Sequence, residues 1–339
     1  MAKIVTITNP LTGQPAQVDQ LDHTAQQIDD GLNIARGVSN PNLLDNWYFG
    51  NPVNQRGQTR YTSEGYTIDR WLLYQWNTTS KACSVATNGL RVYGEASSSC
   101  STGIKQFVEG LKAGCQVTAS VLVTDFTVGA AVNLFIRTNS GVRLANVRFS
   151  KPGLYSVTTT LPDDFDGNLM IETGQGGSNG GNGNTDFTVL AIKLELGSQQ
   201  TLAHQDTNGN WVLNEIPNYG EQLRRCQRYF VNFNPYKMKW FAMPPAIASN
   251  ASQAYSAVTL PVAMRAQPVV AYGGNIALSQ SSDHAITAIL VSGGTFTGSC
   301  VQLRYEVSAG TLTANSLYRV QGNNDQTAYI WLSADLLGG

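Results

Sequence analysis

Between residues 42 and 197 the chain passes through one short apolar run after another: "WLLYQW", "ACSVAT", "GLRVY", "QVTASVLVTDF", "AVNLFIRT", "VRLANVRF", "LYSVTTTL", "LMIET" and "FTVLAIKLEL". Val, Ile, Thr and aromatic residues recur in them; such side chains are stiff at χ1 and pack well on a pleated surface. Gly, Asn, Asp and Pro close each run before a helix of ordinary length could form. Many short strands without a long helical period must bury their apolar faces by stacking sheets. This part is therefore expected to be a β-sandwich or jelly roll.

The pattern restarts beyond residue 218 with "QRYFVNF", "AYSAVTLPV", "QPVVAYG", "HAITAILVS", "VQLRYEVS", "SLYRVQG" and "AYIWLSA". These runs predict a second, distal β-sandwich over 219–339. The stretch between, 198–218, has little periodicity and many turn residues, and is expected to be a linker. At 339 residues the chain has room for two cores of ordinary size.

The first 41 residues differ. In "VDQLDHTAQQIDDGLNIA" the apolar residues follow a heptad, with Val18, Ala25 and Leu32 at one position and Leu21, Ile28 and Ala35 at the other. About 18 helical residues make a rod of about 27 Å, marginal alone in water, and Gly31 weakens it further. The stripe needs a partner, either its own domain or identical helices around the axis of a homo-oligomer, where Ala25 and Ala35 permit close approach. These core residues do not choose between dimer and trimer. Gly37 and Pro41 end the helix. The predicted class is thus all-β, two jelly-roll-like sandwiches in series after a short oligomerising helix.

Composition removes several functions. With 22 Lys+Arg against 23 Asp+Glu the formal charge is -1, so no field of one sign is available for nucleic acid or an anionic membrane. Five cysteines without a CxxC pair and three scattered histidines signal neither a zinc site nor a disulfide framework. No metal or cofactor is expected. The sequence has no apolar run of membrane-spanning or signal-peptide length, which predicts a soluble protein made in the cytoplasm.

Motifs for catalysis are weak. The run "GQGGSNGGNGNTD", Gly174 to Asp186, lacks the Lys-Ser/Thr and following helix of a phosphate loop, and approaches a calcium β-roll repeat only once and out of spacing. It is expected to be a surface loop. Carboxylates occur at Asp163, Asp164 and Asp166 and singly at Asp69, Glu95, Glu172 and Glu195, but a glycosidase needs two at a fixed separation across a cleft. There is no GxSxG or HExxH. No catalytic residue is assigned, and the chain is read as non-enzymatic.

Aromatic residues are the better lead. Trp71, Tyr74 and Trp76 lie in "DRWLLYQW", where alternation places Trp71 on the face opposite Tyr74 and Trp76. Tyr236, Trp240 and Phe241 lie in the Pro-bounded "NPYKMKWFAMPP". Exposed rings of this kind stack on sugar C–H surfaces while neighbouring amides bond hydroxyls, so these six are the candidate glycan-binding residues. Core packing competes for each of them. In "YGEQLRRCQRYF", Leu223, Cys226 and either Tyr229 or Phe230 recur at helical spacing, leaving Arg224, Arg225 and Arg228 off the stripe. They are expected to clamp the two domains or subunits, with a polyanion site as the alternative.

Three stretches carry a resemblance. "NPNLLDNWYFGNPVNQRG" followed by "GYTIDRW" resembles the opening of the β-sandwich in bacteriophage tail-fibre and related virion fibre proteins, a sandwich of the carbohydrate-binding-module kind. "LAIKLELGSQQT" with "YGEQLRRCQRYF", and then "VTLPVAMRAQPVV", are similar to the junction and the first distal strands of those proteins. The similarity covers roughly residues 40 to 275. It implies a homotrimeric receptor-binding fibre on the tail or capsid surface, made in the host cytoplasm. Its N-terminal segment would meet other virion proteins, and its β-domains a host surface polysaccharide or glycan. Closed symmetry would supply avidity. A capsid-decorating fibre or baseplate adaptor, and a depolymerase tailspike, are the alternatives within the resemblance. The chain departs from it in having a short helix where fibre shafts carry long repeats.

Overall fold

In the computed structural model the described residues are 39–335 without 77, 96–100, 129–131, 176–184 and 309. The heptad residues Val18, Leu21, Ala25, Ile28, Leu32 and Ala35, and most of the glycine-rich loop, lie outside them.

The alternating runs of the first half become β1 (Arg60–Tyr61), β2 (Gly65–Tyr66), β3 (Leu72–Trp76), β4 (Ser80–Ala86), β5 (Gly89–Glu95) and β6 (Ser101–Glu109), then β7 (Gln116–Val128), β8 (Val132–Thr138), β9 (Arg143–Phe149), β10 (Gly153–Thr160), β11 (Asn168–Gln175) and β12 (Thr185–Leu196). They form two antiparallel six-stranded sheets, ordered β1-β4-β5-β12-β7-β10 and β2-β3-β6-β11-β8-β9. Because side chains alternate, each strand gives one face to the space between the sheets. Leu73 and Ile104 sit opposite each other in one ladder, as do Ile171 and Ile136. They meet Val117, Ala119, Val121 and Leu194 of the other sheet in one core. Strand β12 is buried along almost its whole length, the charged side chains of Lys193 and Glu195 included. The first half is the sandwich that its pattern predicts.

The stretch read as a linker carries a hairpin, β13 (Ala203–Gln205) with β14 (Trp211–Leu213). Leu202 and Ala203 join the sandwich core, and Thr201 donates its N–H to Glu195 Oε1 at 2.7 Å. Helix α1 (Tyr219–Gln227) follows. Asn218 caps it, its side chain accepting from Glu221 N–H at 3.2 Å. No helix among the described residues is long and apolar enough to cross a membrane.

The distal unit is also β throughout: β15 (Phe230–Asn232), β16 (Ala242–Ala248), β17 (Gln253–Thr259), β18 (Val269–Gly273), β19 (Ile276–Ser279), β20 (Asp283–Val291), β21 (Cys300–Val307), β22 (Leu317–Gly322) and β23 (Tyr329–Ser333). Its layers take a particular form. Six strands close on themselves in the order β16-β17-β21-β20-β19-β22, which removes their free edges. Beside this barrel lies a three-stranded sheet, β15-β23-β18. Ile330 and Leu332 of β23 and Val231 of β15 share a core with barrel residues such as Leu303 and Tyr305.

The two halves meet through polar groups. Asp45 accepts from Arg70 Nε at 3.0 Å and from Arg225 Nε at 2.6 Å, and Arg225 also donates to the carbonyls of Asn42 and Leu44. Gln222 of α1 accepts from Asn46 N–H at 2.7 Å. Gln55 donates to Asp69 at 2.6 Å and to the Phe230 carbonyl at 2.8 Å, while Asn232 donates to the Gln55 carbonyl. Arg56 pairs with Asp335 at 3.1 Å and with Asp69 at 3.5 Å. Arg224 and Arg228 are exposed, so of the three arginines it is Arg225 whose side chain bridges the halves.

Burial pushes the Asp69 carboxyl up to about 6, against the opposing pull of Arg56 and the Gln55 hydrogen bonds. A carboxyl raised in the folded state penalises the ionised fold. The penalty is complete above about 6 and disappears as the pH falls toward the ordinary 3.8. Stability from this group should therefore rise from about pH 7 to about pH 5, and Asp69→Asn should flatten that slope in denaturant titrations. Arg225→Ala should cost about 1.5–3 kcal/mol in the same assay. Arg224→Ala should stay within about 0.5 kcal/mol of wild type.

Candidate functional site

Three of the six aromatic candidates cannot meet a ligand from solvent. Trp71 is wholly buried between the sheets, its Nε1–H donating to the Asn46 carbonyl at 2.9 Å and its ring edge-on to Phe49. Phe241 belongs to the distal core. Tyr74 does lie on the face opposite Trp71, but its ring rests over two glycines: a Cβ on Gly103 or Gly174 would collide with it. Its hydroxyl donates to Glu172 Oε1 at 2.8 Å or to the Thr173 carbonyl at 3.0 Å, and burial raises its pKa well above the ordinary phenol value.

Cations occupy the neighbouring rings on that sheet face. Lys105 Nζ lies 5.3 Å from the Tyr74 centroid and 5.6 Å from that of Phe107, and Arg137 and Arg143 both stack over Phe135. Trp76, Tyr236 and Trp240 stay open to solvent, at 60%, 85% and 57% exposure.

The structure does not bring these three together at one site, but Pro235 and Lys237, the chain neighbours of Tyr236, line a cleft at the joint. Strand β23 turns Ile330 and Leu332 into the core, so alternation turns Tyr329 and Trp331 outward. Their rings lie 4.2 Å apart at 30°, and Trp331 meets Phe230 of β15 at 5.5 Å. Gly273 stands opposite Tyr329 in β18, and a Cβ there would strike the ring, so the missing side chain lets Tyr329 lie against the sheet. Arg56 covers the far end by stacking 3.8 Å over Phe230. The result is an aromatic shelf on a rigid sheet.

Around it opens a cleft of about 260 Å³, with Gln58 from the first half and Asn232, Asn234, Lys237, Gln326 and Thr327 from the second. Asn234 is buried and engaged: its amide donates to the carbonyls of Met238 and Ala328 and accepts from Met238 N–H. This pins the turn from Pro235 to Met238, where Lys237 takes a φ of 53°. The amides of Gln58 and Gln326 are exposed at the rim. Trp331 Nε1 is buried with no hydrogen-bond partner. A rigid apolar shelf with amides at its edge suits a ring that has C–H faces and hydroxyl edges.

A second opening, about 320 Å³ beside Trp211, is less suitable because three of its four amides are already engaged. Gln200 bonds the backbone of Leu202 and Ala203, Gln205 donates to the Gly209 carbonyl, and Asn214 binds Thr201 and His204. The carboxylates are dispersed. Asp163 and Asp164 are exposed on the turn before β11, while Glu172 is held by Tyr74 and by Arg137 at 3.5 Å. Among the described residues no carboxylate lines the aromatic cleft, and no group of three or more His, Cys, Asp or Glu is placed to hold a metal ion. Sequence reasoning missed Tyr329 and Trp331, although their spacing in "AYIWLSA" already places both on one strand face.

No protein-family model and no curated protein matches the chain. Among solved structures it is similar to a CBM4 structure at 15% identity and a TM-score of 0.28, over 37% of this chain and 87% of that one. It is similar to TmCBM61 in complex with β-1,4-galactotriose at 16% and 0.27, over 46% and 99%. It is also similar to the enzymatically active domain of bacteriophage CBA120 tailspike protein 4 at 11% and 0.26, over 46% of this chain but 21% of that one.

Asn234→Ala should cost about 2 kcal/mol by leaving backbone groups of Met238 and Ala328 without partners. Amide hydrogen exchange at Met238 should accelerate while that of the barrel strands stays unchanged.

Proposed function

We propose that this protein is a non-catalytic glycan-binding component of a bacteriophage virion fibre, working as a homotrimer that presents the joint cleft to a host surface polysaccharide. The observation that carries the binding reading is the shelf of Tyr329 and Trp331, with the Gln58 and Gln326 amides on the rim. Flat rings fixed on a sheet bind pyranose C–H faces with little ordering cost, since their own rotamers are already restricted. The virion assignment rests on the resemblance of residues 40 to 275 to tail-fibre proteins, and the trimer on the heptad at 18–35 together with that resemblance. Single sites of this kind are weak, and three on one axis would raise the avidity.

A glycan array and whole-cell adsorption test the binding. The double variant Gln58→Ala/Gln326→Ala, at the exposed rim, should keep its thermal midpoint and lose about tenfold in apparent affinity. Unchanged binding by that variant, or release of reducing ends from host polysaccharide by the wild type, would sink the reading. Light scattering should give three chains per particle at micromolar concentration, and a monomer there would remove the fibre assignment.

A further inference from the structure

The joint has a second cleft, on a different set of residues. Leu43, Asp45, Arg70, Phe107, Arg228 and Tyr229 help enclose about 280 Å³. Its carboxylates already have partners. Asp45 is held by Arg70 through one oxygen and by Arg225 through the other. Glu109, also in the lining, is gripped through both oxygens by Arg265 of the distal half. Arg70, Arg225, Arg228 and Arg265 thus face Asp45 and Glu109, with Asp335 acting on Arg70 from its own pair with Arg56, and donors on Arg70 and Arg228 remain without partners.

The first is Arg70 Nη1, which has no hydrogen-bond partner in a residue only 3% exposed. Contacts on either side hold the rest of the guanidinium. Its guanidinium stacks 3.5 Å over Tyr229, and its Nη2 donates to the Phe107 carbonyl at 2.9 Å. Its backbone sits at φ 71°, a conformation that costs energy for a residue with a Cβ and persists only where surrounding contacts enforce it. The second donor is Arg228, whose exposed side chain enters no ion pair or hydrogen bond among the described residues.

The geometry points to an oxyanion subsite in this cleft, taking the carboxylate or phosphate group of an acidic saccharide between Arg70 Nη1 and the Arg228 guanidinium. A buried donor and an exposed one line the same cleft, and a group with several acceptor oxygens is the partner for which arginine is suited. Leu43, Phe107 and Tyr229 give apolar walls to the ring that carries the charge. The subsite goes beyond the aromatic-cleft reading and does not rest on it.

Calorimetric titration of the full chain at low ionic strength with glucuronate, glucose 6-phosphate and glucose tests it. One or both anionic sugars should bind and glucose should not, and the tighter of the two anions identifies the group. Added salt should weaken binding. Arg228→Glu should weaken it about tenfold or more, whereas Arg224→Glu, the same charge reversal one turn earlier in the chain, should not. The Gln58→Ala/Gln326→Ala protein should bind the anions normally, which separates this result from any failure of the aromatic cleft. Absence of binding by both anions, equal binding of glucose, or indistinguishable behaviour of Arg228→Glu and Arg224→Glu would overturn the subsite.

Discussion

Asp45 is one carboxylate, with a side chain only 12% exposed, between two guanidinium groups from different parts of the chain. Arg70 comes from the sandwich and Arg225 from the helix that leads into the barrel. Removing a carboxylate from water costs several kcal/mol, and a single partner at the surface would barely offset it. Two charge-assisted hydrogen bonds, with the carbonyls of Asn42 and Leu44 taking further arginine donors, make the arrangement favourable only when the halves are docked. Docking is therefore selective: a shifted interface would leave a buried charge without its partner.

Both clefts depend on that docking. The aromatic cleft needs Arg56 and Gln58 from the loop before β1 against a shelf carried by β15 and β23. The arginine cleft needs Phe107 and Glu109 from the end of β6 against Arg228 and Tyr229. Neither half contains either cleft by itself. The joint that looks like masonry in the sequence also forms the walls of the two candidate sites.

The fate of each aromatic shows where pattern reasoning runs out. Alternation places Trp71 on one face and Tyr74 and Trp76 on the other, and in the structure Trp71 enters the sandwich core while Tyr74 stays out of it. What alternation could not supply was the cover over the second face. Tyr74 is closed off because Gly103 and Gly174 come beside it from β6 and β11, and because Lys105 stands over its ring. Those neighbours are distant in the chain. In the same way "AYIWLSA" announces two aromatics on one face, but only the pairing of β23 with β15 and β18 adds Phe230 and the bare Gly273 that make a shelf of them.

Local steric preference and the period of the apolar residues are properties of a short segment, so the sequence alone determined the strands, their turns, the all-β class and a helical spacing within "EQLRRCQRYF", where the helix at 219–227 lies. The same holds for the absence of an overall field of one charge sign. Closure of the barrel, the entry of Leu202 and Ala203 into the sandwich core, and the choice of Arg225 over Arg224 as the bridging arginine were decided only in three dimensions. Each depends on which residues far apart in the chain come within hydrogen-bonding or packing distance. That distance follows from how sheets stack and dock, and no segment carries it.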